Sequence, residues 1–320
     1  MIDFRYHLVS IVSIFLALAV GIVLGAGPLQ QQIGSTLTSE VTQLRKDKAD
    51  LRSQVDAAHA AVTSRDAFID SALPLVVSGS LTGRTVAVIV LPGVDASLAD
   101  RSVQTLTAAG ARIGARVGIT DAWLATDTRT VAAREAAVTR AAALLHPGRI
   151  DDGHTNVTID GVFAASLVTP NGVLPDEAAM RAALTEFVAA KLVDTDPTLA
   201  VPATAALVIA PPPTSASSDA KAAATAWVAL AQALRTGGSG AVLGCDSGSG
   251  SGKSVDPVSV VGRLRDDPSA RAAVSTVDNA GVGVGQVSLA YALAGQLQGV
   301  VGHFGSDTGA QAPYPPLPVQ

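Results

Sequence analysis

Three stretches carry the residue types that catalysis or ligand binding would need. Ser247-Gly-Ser-Gly-Ser-Gly252-Lys253-Ser254 follows a strand-like run and imitates a phosphate-binding loop. The imitation fails at the first glycine position, which is Ser247, and Pro257 obstructs the long helix that such a loop should open. A flexible Gly/Ser loop is the better reading. Gly281-Val-Gly283-Val-Gly285-Gln286 joins a strand to a helix as a dinucleotide turn does. Its third glycine comes one position early, and too little chain follows to supply the acidic partner of a ribose, so tight turn geometry explains it. The histidines are His7, His59, His146, His154 and His303, and no two stand at metal-ligand spacing. His146, before Pro147, reads as a helix-end residue. Gly302-His303-Phe304-Gly305 reads as a turn packed under Phe304.

Sulfur ligands are scarce: Met1, Met180 and Cys245 are the whole set. A dedicated soft-metal site within one protomer is not expected, and the one route left is two Cys245 residues meeting across a dimer. Asp151-Asp152 and Asp266-Asp267 each adjoin a turn-forming Gly or Pro and read as solvated loops. No G-x-S-x-G elbow is present and the acids form no pair that can be placed. The sequence therefore predicts no catalytic residue, no metal ligand and no cofactor, and a protein that is not an enzyme.

The 320 residues allow one sizeable domain or two lobes. Apolar residues at 48% with charged residues at 15% describe a chain with a packed core, not a disordered one. A net charge of -5 and a pI near 5.5 leave no basic stripe, which argues against a nucleic-acid partner. With one cysteine no intramolecular disulfide can form.

What must position any function begins with the N-terminus. Leu8 to Ala26 is 19 residues without a charge, roughly 28 Å as a helix, matching the bilayer hydrocarbon thickness. Residues 1–27 then form a cytoplasmic stub and a transmembrane anchor, the alternative being cleavage after Ala26. Arg5 and His7 precede the span and the next basic residue is Arg45, so the positive-inside bias places the N-terminus in the cytoplasm and the rest outside. Ala17, Gly21 and Gly25 recur every four residues on one face, where small side chains let two membrane helices approach.

Residues 28–73 read as a stalk. Leu37, Val41, Leu44, Lys48, Leu51, Val55, Ala58, Val62, Arg65 and Ile69 alternate in steps of four and three, the seam of a left-handed coiled coil. Val41, Lys48, Val55, Val62 and Ile69 occupy a; Leu37, Leu44 and Leu51 occupy d. β-Branched a with Leu at d predicts a parallel homodimer. A single amphipathic helix folding back on the domain is the alternative. The seam frays near Ala58 and Arg65, and Pro74 should end the helix.

Residues 74–310 change to short apolar runs between Ala-rich helices. Strands are expected at 84–91, 111–119, 205–210, 240–245 and 273–277, and helices at 97–109, 129–145, 176–192, 219–235 and 286–297. Repeated βα units predict a mainly parallel sheet sandwiched by helices, an α/β domain outside the cytoplasm. The turn-rich stretch 146–175 reads as an insertion between lobes. The tail, 311–320, with Pro313, Pro315, Pro316 and Pro318, should be extended and reads as a disordered end, the alternative being a ligand for a proline-recognition module.

The opening Met1-Ile-Asp-Phe-Arg5-Tyr6-His7 followed by Phe15-Leu-Ala-Leu-Ala-Val-Gly21-Ile-Val-Leu-Gly25 resembles the actinobacterial family of mycobacterial copper transport protein B (MctB). Ser275-Thr-Val-Asp278, Gly285-Gln286-Val and Gly302-His303-Phe304-Gly305 extend the likeness to the C-terminus, with Phe304 where the family commonly has Tyr. The resemblance implies a place in the cell envelope and a part in copper homeostasis, described for the family as an outer-membrane channel. It also implies an alternative, a dimeric scaffold that serves a cell-division apparatus by regulating peptidoglycan hydrolases. A β-barrel needs strands of about ten residues with aromatic girdles. Aromatics at 3% and strands alternating with helices do not read as a barrel.

Overall fold

The structure, a computed structural model, describes residues 4–26, 28–145, 158–248 and 257–316, with side chains at 4–25, 39–145, 158–248 and 258–316. It divides into two units, Met1–Arg65 and Asp66–Gln320. The described residues of the first are helical. The uncharged run forms α1 (Phe4–Ala26), whose apolar side chains are exposed along its length. After residue 27, α2 (Pro28–Val77) runs for 50 residues and ends in the second unit.

The second unit contains β1 (Thr85–Val90), α3 (Ala96–Ala108), β2 (Arg112–Ile119), α4 (Thr128–Leu145), α5 (Ile159–Leu167), α6 (Glu177–Ala189) and β3 (Val193–Asp194). It continues through β4 (Ala205–Ala210), β5 (Thr214–Ser215), α7 (Ser218–Gly237), β6 (Gly240–Cys245), β7 (Pro257–Val258), α8 (Val260–Asp266), α9 (Pro268–Ala273), β8 (Ser275–Val277), α10 (Gly283–Gln296) and β9 (His303–Phe304). The main sheet is open, in the order β3-β2-β1-β4-β6-β8-β9. Its pairings are parallel except β2 with β3. β5 and β7 form a separate antiparallel ribbon.

Strand composition dictates the two-sided burial. Every residue of β4 and β6 is buried, as continuous apolar runs in a parallel sheet must be. Along β4, Ala206, Val208 and Ala210 face a core shared with α4, α5, α6 and α7, while Ala205, Leu207 and Ile209 face one shared with α3, α10 and the end of α2. The first core holds an aromatic trio: the Trp123 and Phe163 rings meet edge to face at 5.1 Å, and Phe163 and Phe187 at 5.4 Å.

Several expectations are corrected. α2 passes through Pro74 and stops at Val77. Leu73 and Val77, buried on either side of the exposed proline, hold the helix against the loss of one backbone hydrogen bond. The stretch 146–175 is no insertion where it is described: α5 lies within it, and Phe163 is fully buried in the core. His146, Asp151, Asp152 and His154 lie outside the described residues. The helix expected to reach Leu192 ends at Ala189. Lys191 there adopts φ 59 while its N–H meets Val188 O and that of Leu192 meets Phe187 O, a Schellman ending. The strand expected from Ala273 starts at Ser275, since Ala273 closes α9. His303 and Phe304 form an edge strand, not a turn. The tail is pinned as far as Pro316: Gln311 N–H donates to His303 O at 2.7 Å, Ala312 bridges Phe304, and Pro315 is buried.

Candidate functional site

The fragments Ser275–Asp278 and Gly302–Gly305 converge where β8 and β9 leave the sheet. Asp278 follows the last residue of β8 and has no exposed surface. Its Oδ2 accepts from Arg265 Nη1 at 2.7 Å and from the Asp307 N–H at 3.1 Å, and its Oδ1 accepts from the Ser306 N–H at 2.8 Å. Arg265, on α8, completes its fork by donating to Thr276 Oγ1 at 2.9 Å and to Phe304 O at 2.9 Å. Gly305, at φ 127, is required: any side chain there would overlap the Asp278 carboxylate. A buried ion pair saturated in this way fixes a loop and presents no acid or base to a substrate.

His303 extends the same knot. Nδ1 lies 2.9 Å from Thr276 Oγ1 and Nε2 lies 3.0 Å from Arg271 O. Burial, with the nearby Arg265 and Arg271 cations, holds its pKa below the ordinary histidine value. Gln286, from the third matching fragment, is also buried: Nε2 donates to Ala280 O at 2.7 Å, and Oε1 accepts from Thr105 Oγ1 at 2.9 Å. At Gly285, any side chain would run into the Asn279 carbonyl; the helix expected from Gln286 already starts at Gly283, so only Gly281 of the run lies in a turn and the other two glycines let the first turn of α10 pack closely.

Cys245 sits in a central strand with no exposed surface, its thiol pushed up to about 12, chiefly by burial. It can meet no second copy. Among the described residues no group of three or more His, Cys, Asp or Glu side chains could hold a metal. Asp267, read as a loop residue, caps α9 by accepting from the N–H groups of Ser269 and Ala270. Ser247 donates to Asp278 O at 2.8 Å; residues 249–256 of the Gly/Ser loop lie outside the described ones.

The strand order reverses between β1 and β4, the place where open α/β sheets form a ligand crevice beyond the strand ends. A cleft of about 560 Å³ opens there, with Asp95, Arg101, Asp246 and Gly281 among its walls. Asp95 caps α3, and hydrogen bonds from Ser97 hold its carboxyl below the usual range. Arg101 donates to Gly281 O at 2.9 Å and pairs with Asp70 of α2. Among the described residues lining the cleft, the cation Arg101 is thus engaged by the protein itself.

In the first unit, Phe4–Gly25 is 22 residues with a mean hydropathy of 2.8, long and apolar enough to cross a membrane. Ala17, Gly21 and Gly25 lie in it, and nothing stands within 4 Å of a methyl placed on either glycine. Leu37 lies in α2, with its side chain outside the described ones. Val41, Leu44, Lys48, Leu51, Val55 and Val62 are exposed on α2, whereas Ile69 is half-buried.

The profile of a family described as "Copper transport outer membrane protein, MctB" matches residues 1–315. The chain belongs to the MctB family. Proteins named copper transporter MctB, from Mycobacterium bovis (strain ATCC BAA-935 / AF2122/97) and from Mycobacterium tuberculosis (strains CDC 1551 / Oshkosh and ATCC 25618 / H37Rv), are each 26% identical to it over 318 residues, 98% of either chain. The match takes in the apolar helix, α2 and the sheet alike. The C-terminal fragments that extended the likeness are the ones that build the buried polar knots, and sequence reasoning missed their partner Arg265. The signal was present in Ser259 and Asp267-Pro268, the helix-start residues that bracket α8.

Proposed function

We propose that this MctB-family protein is a single-pass membrane protein of the cell envelope that serves copper transport without being an enzyme or the pore itself. In this reading α1 is the anchor, the N-terminus is cytoplasmic, and the α/β domain stands outside as a parallel dimer. One observation supports it: among the described residues the sheet is open, with helices on both faces and edges at β3 and β9, unlike the closed barrel that a strand-built channel needs. The copper transporters of 26% identity supply the copper connection. The test is deletion of the gene and complementation with the full chain or with the chain lacking α1, scored by cellular copper and by growth in copper. Only the anchored form should restore wild-type copper levels. Single-channel conductance from the purified protein in planar bilayers would overturn the reading.

The exposed apolar stripe of α2 favours a second reading, a dimeric scaffold that regulates peptidoglycan hydrolases or division proteins in the envelope. Cross-linked pull-down from intact cells should then recover an envelope enzyme, and recovery of none counts against it.

A further inference from the structure

We infer that residues 40–62 of α2 pair in parallel and in register with the same residues of a second copy of this chain. The pairing ends at Arg65, because beyond it the chain's own domain takes the stripe. This rests on the anchored-dimer reading above and adds its register and its limit.

Between Val41 and Val62 the stripe is open. Val41, Leu44, Leu51, Val55 and Val62 are 41% to 69% exposed, far more than large aliphatic side chains on a packed helix face. The charges beside the stripe name its occupant. Glu40 and Asp47 each precede an a position, and Arg45 and Arg52 each follow a d position; all four are exposed. In a parallel, in-register coil the residue before a faces the residue five places on in the other helix. Glu40 of one copy then opposes Arg45 of the other, and Asp47 opposes Arg52, twice over by symmetry. An antiparallel pair would set acid against acid and base against base. The same pattern that repels an antiparallel copy attracts a parallel one.

Past Arg65 the stripe is already in use. Ile69, the next a residue, lies against α10 so closely that a methyl on Gly283 would fall 2.7 Å from its Cγ2. Leu73 and Val77, on the same face, are buried in the core beneath α3 and α10. Asp70 pairs with Arg101, and Tyr291 Oη donates to Val76 O at 2.6 Å. A partner helix could take this face only by displacing the domain's own packing.

The buried Cys245 is the only native cysteine, so introduced cysteines give a clean readout. In membranes containing the full chain, mild oxidation should cross-link Leu44→Cys and Leu51→Cys into dimers and leave Ile69→Cys monomeric. In the Leu51→Cys background, Glu40→Lys with Asp47→Lys should lower the cross-linked fraction by about tenfold, and Arg45→Glu with Arg52→Glu should do the same. Co-expressing the two reversed chains should restore a mixed dimer. Cross-linking of Ile69→Cys as complete as that of Leu51→Cys, or no effect of charge reversal, overturns the inference. Should either occur while the protein still restores copper tolerance, the pairing fails and the anchored copper-transport reading stands.

Discussion

At the residue scale, the energetics concentrate in groups that are charged or titratable and yet buried. Arg265 and Asp278 are 2% and 0% exposed at their side chains, so removing one partner strands the other in the core. Arg265→Met should cost about 3–5 kcal/mol in chemical denaturation of the detergent-solubilised protein. Asp160, in the first turn of α5, has its pKa raised to about 6 by burial, with a hydrogen bond from Trp123 acting the other way. Its unfolded value lies near 3.8, so the folded state binds the extra proton and stability falls as pH rises from about 4 to 6. Asp160→Asn should flatten that decline and raise stability at pH 7 by about 2 kcal/mol. His303 has the opposite sign. Its folded pKa is depressed, so stability should fall as pH drops below about 6.5, and His303→Asn should remove that slope. Measuring each variant against the wild type separates the two, because their windows overlap. None of this was legible beforehand: the sequence shows an acid, a base and a histidine, but not which of them the fold buries together.

At the scale of elements, much more was legible. The strands at β1, β2, β4 and β6 fall within a residue of their expected ends, because β-branched and small apolar runs closed by Gly, Pro or Ser have few other ways to be buried. The misses are short or irregular elements. α8 and α9 have 7 and 6 residues split by Asp267-Pro268, too little for a period to appear. α5 hid in a turn-rich stretch, and Pro74 misled because tertiary burial outweighs its local cost. The Schellman ending of α6 puts Lys191 in a left-handed conformation that glycine adopts freely. Lys191→Gly should raise stability by about 0.5–1 kcal/mol, read as a higher denaturation midpoint. Gly283 admits α2 onto α10. Gly283→Leu should destabilise by about 1–3 kcal/mol, and Ile69→Ala in the same chain should recover part of that loss, a coupling a double-mutant cycle would register.

At the scale of the molecule, one apolar helix, one long helix and one open sheet state a division of labour. α1 has the composition of a membrane span, α2 carries an apolar stripe flanked by charges, and the sheet is packed on both faces by apolar cores. The α/β plan and the apolar N-terminal helix were legible because βα alternation and a long uncharged run are long-period patterns; the buried polar knots were not, because the close contacts that make them join residues far apart in sequence. The proposed function depends on α1 spanning a membrane with the sheet on its outer side. Ala222, exposed on α7, can carry a lone reactive thiol, since Cys245 is sealed in the core. Cells carrying Ala222→Cys, with the outer envelope made permeable and the cytoplasmic membrane intact, would be treated with a maleimide that cannot cross a bilayer. Full labelling before lysis is expected; labelling that appears only after the cytoplasmic membrane is broken would contradict an outward-facing sheet.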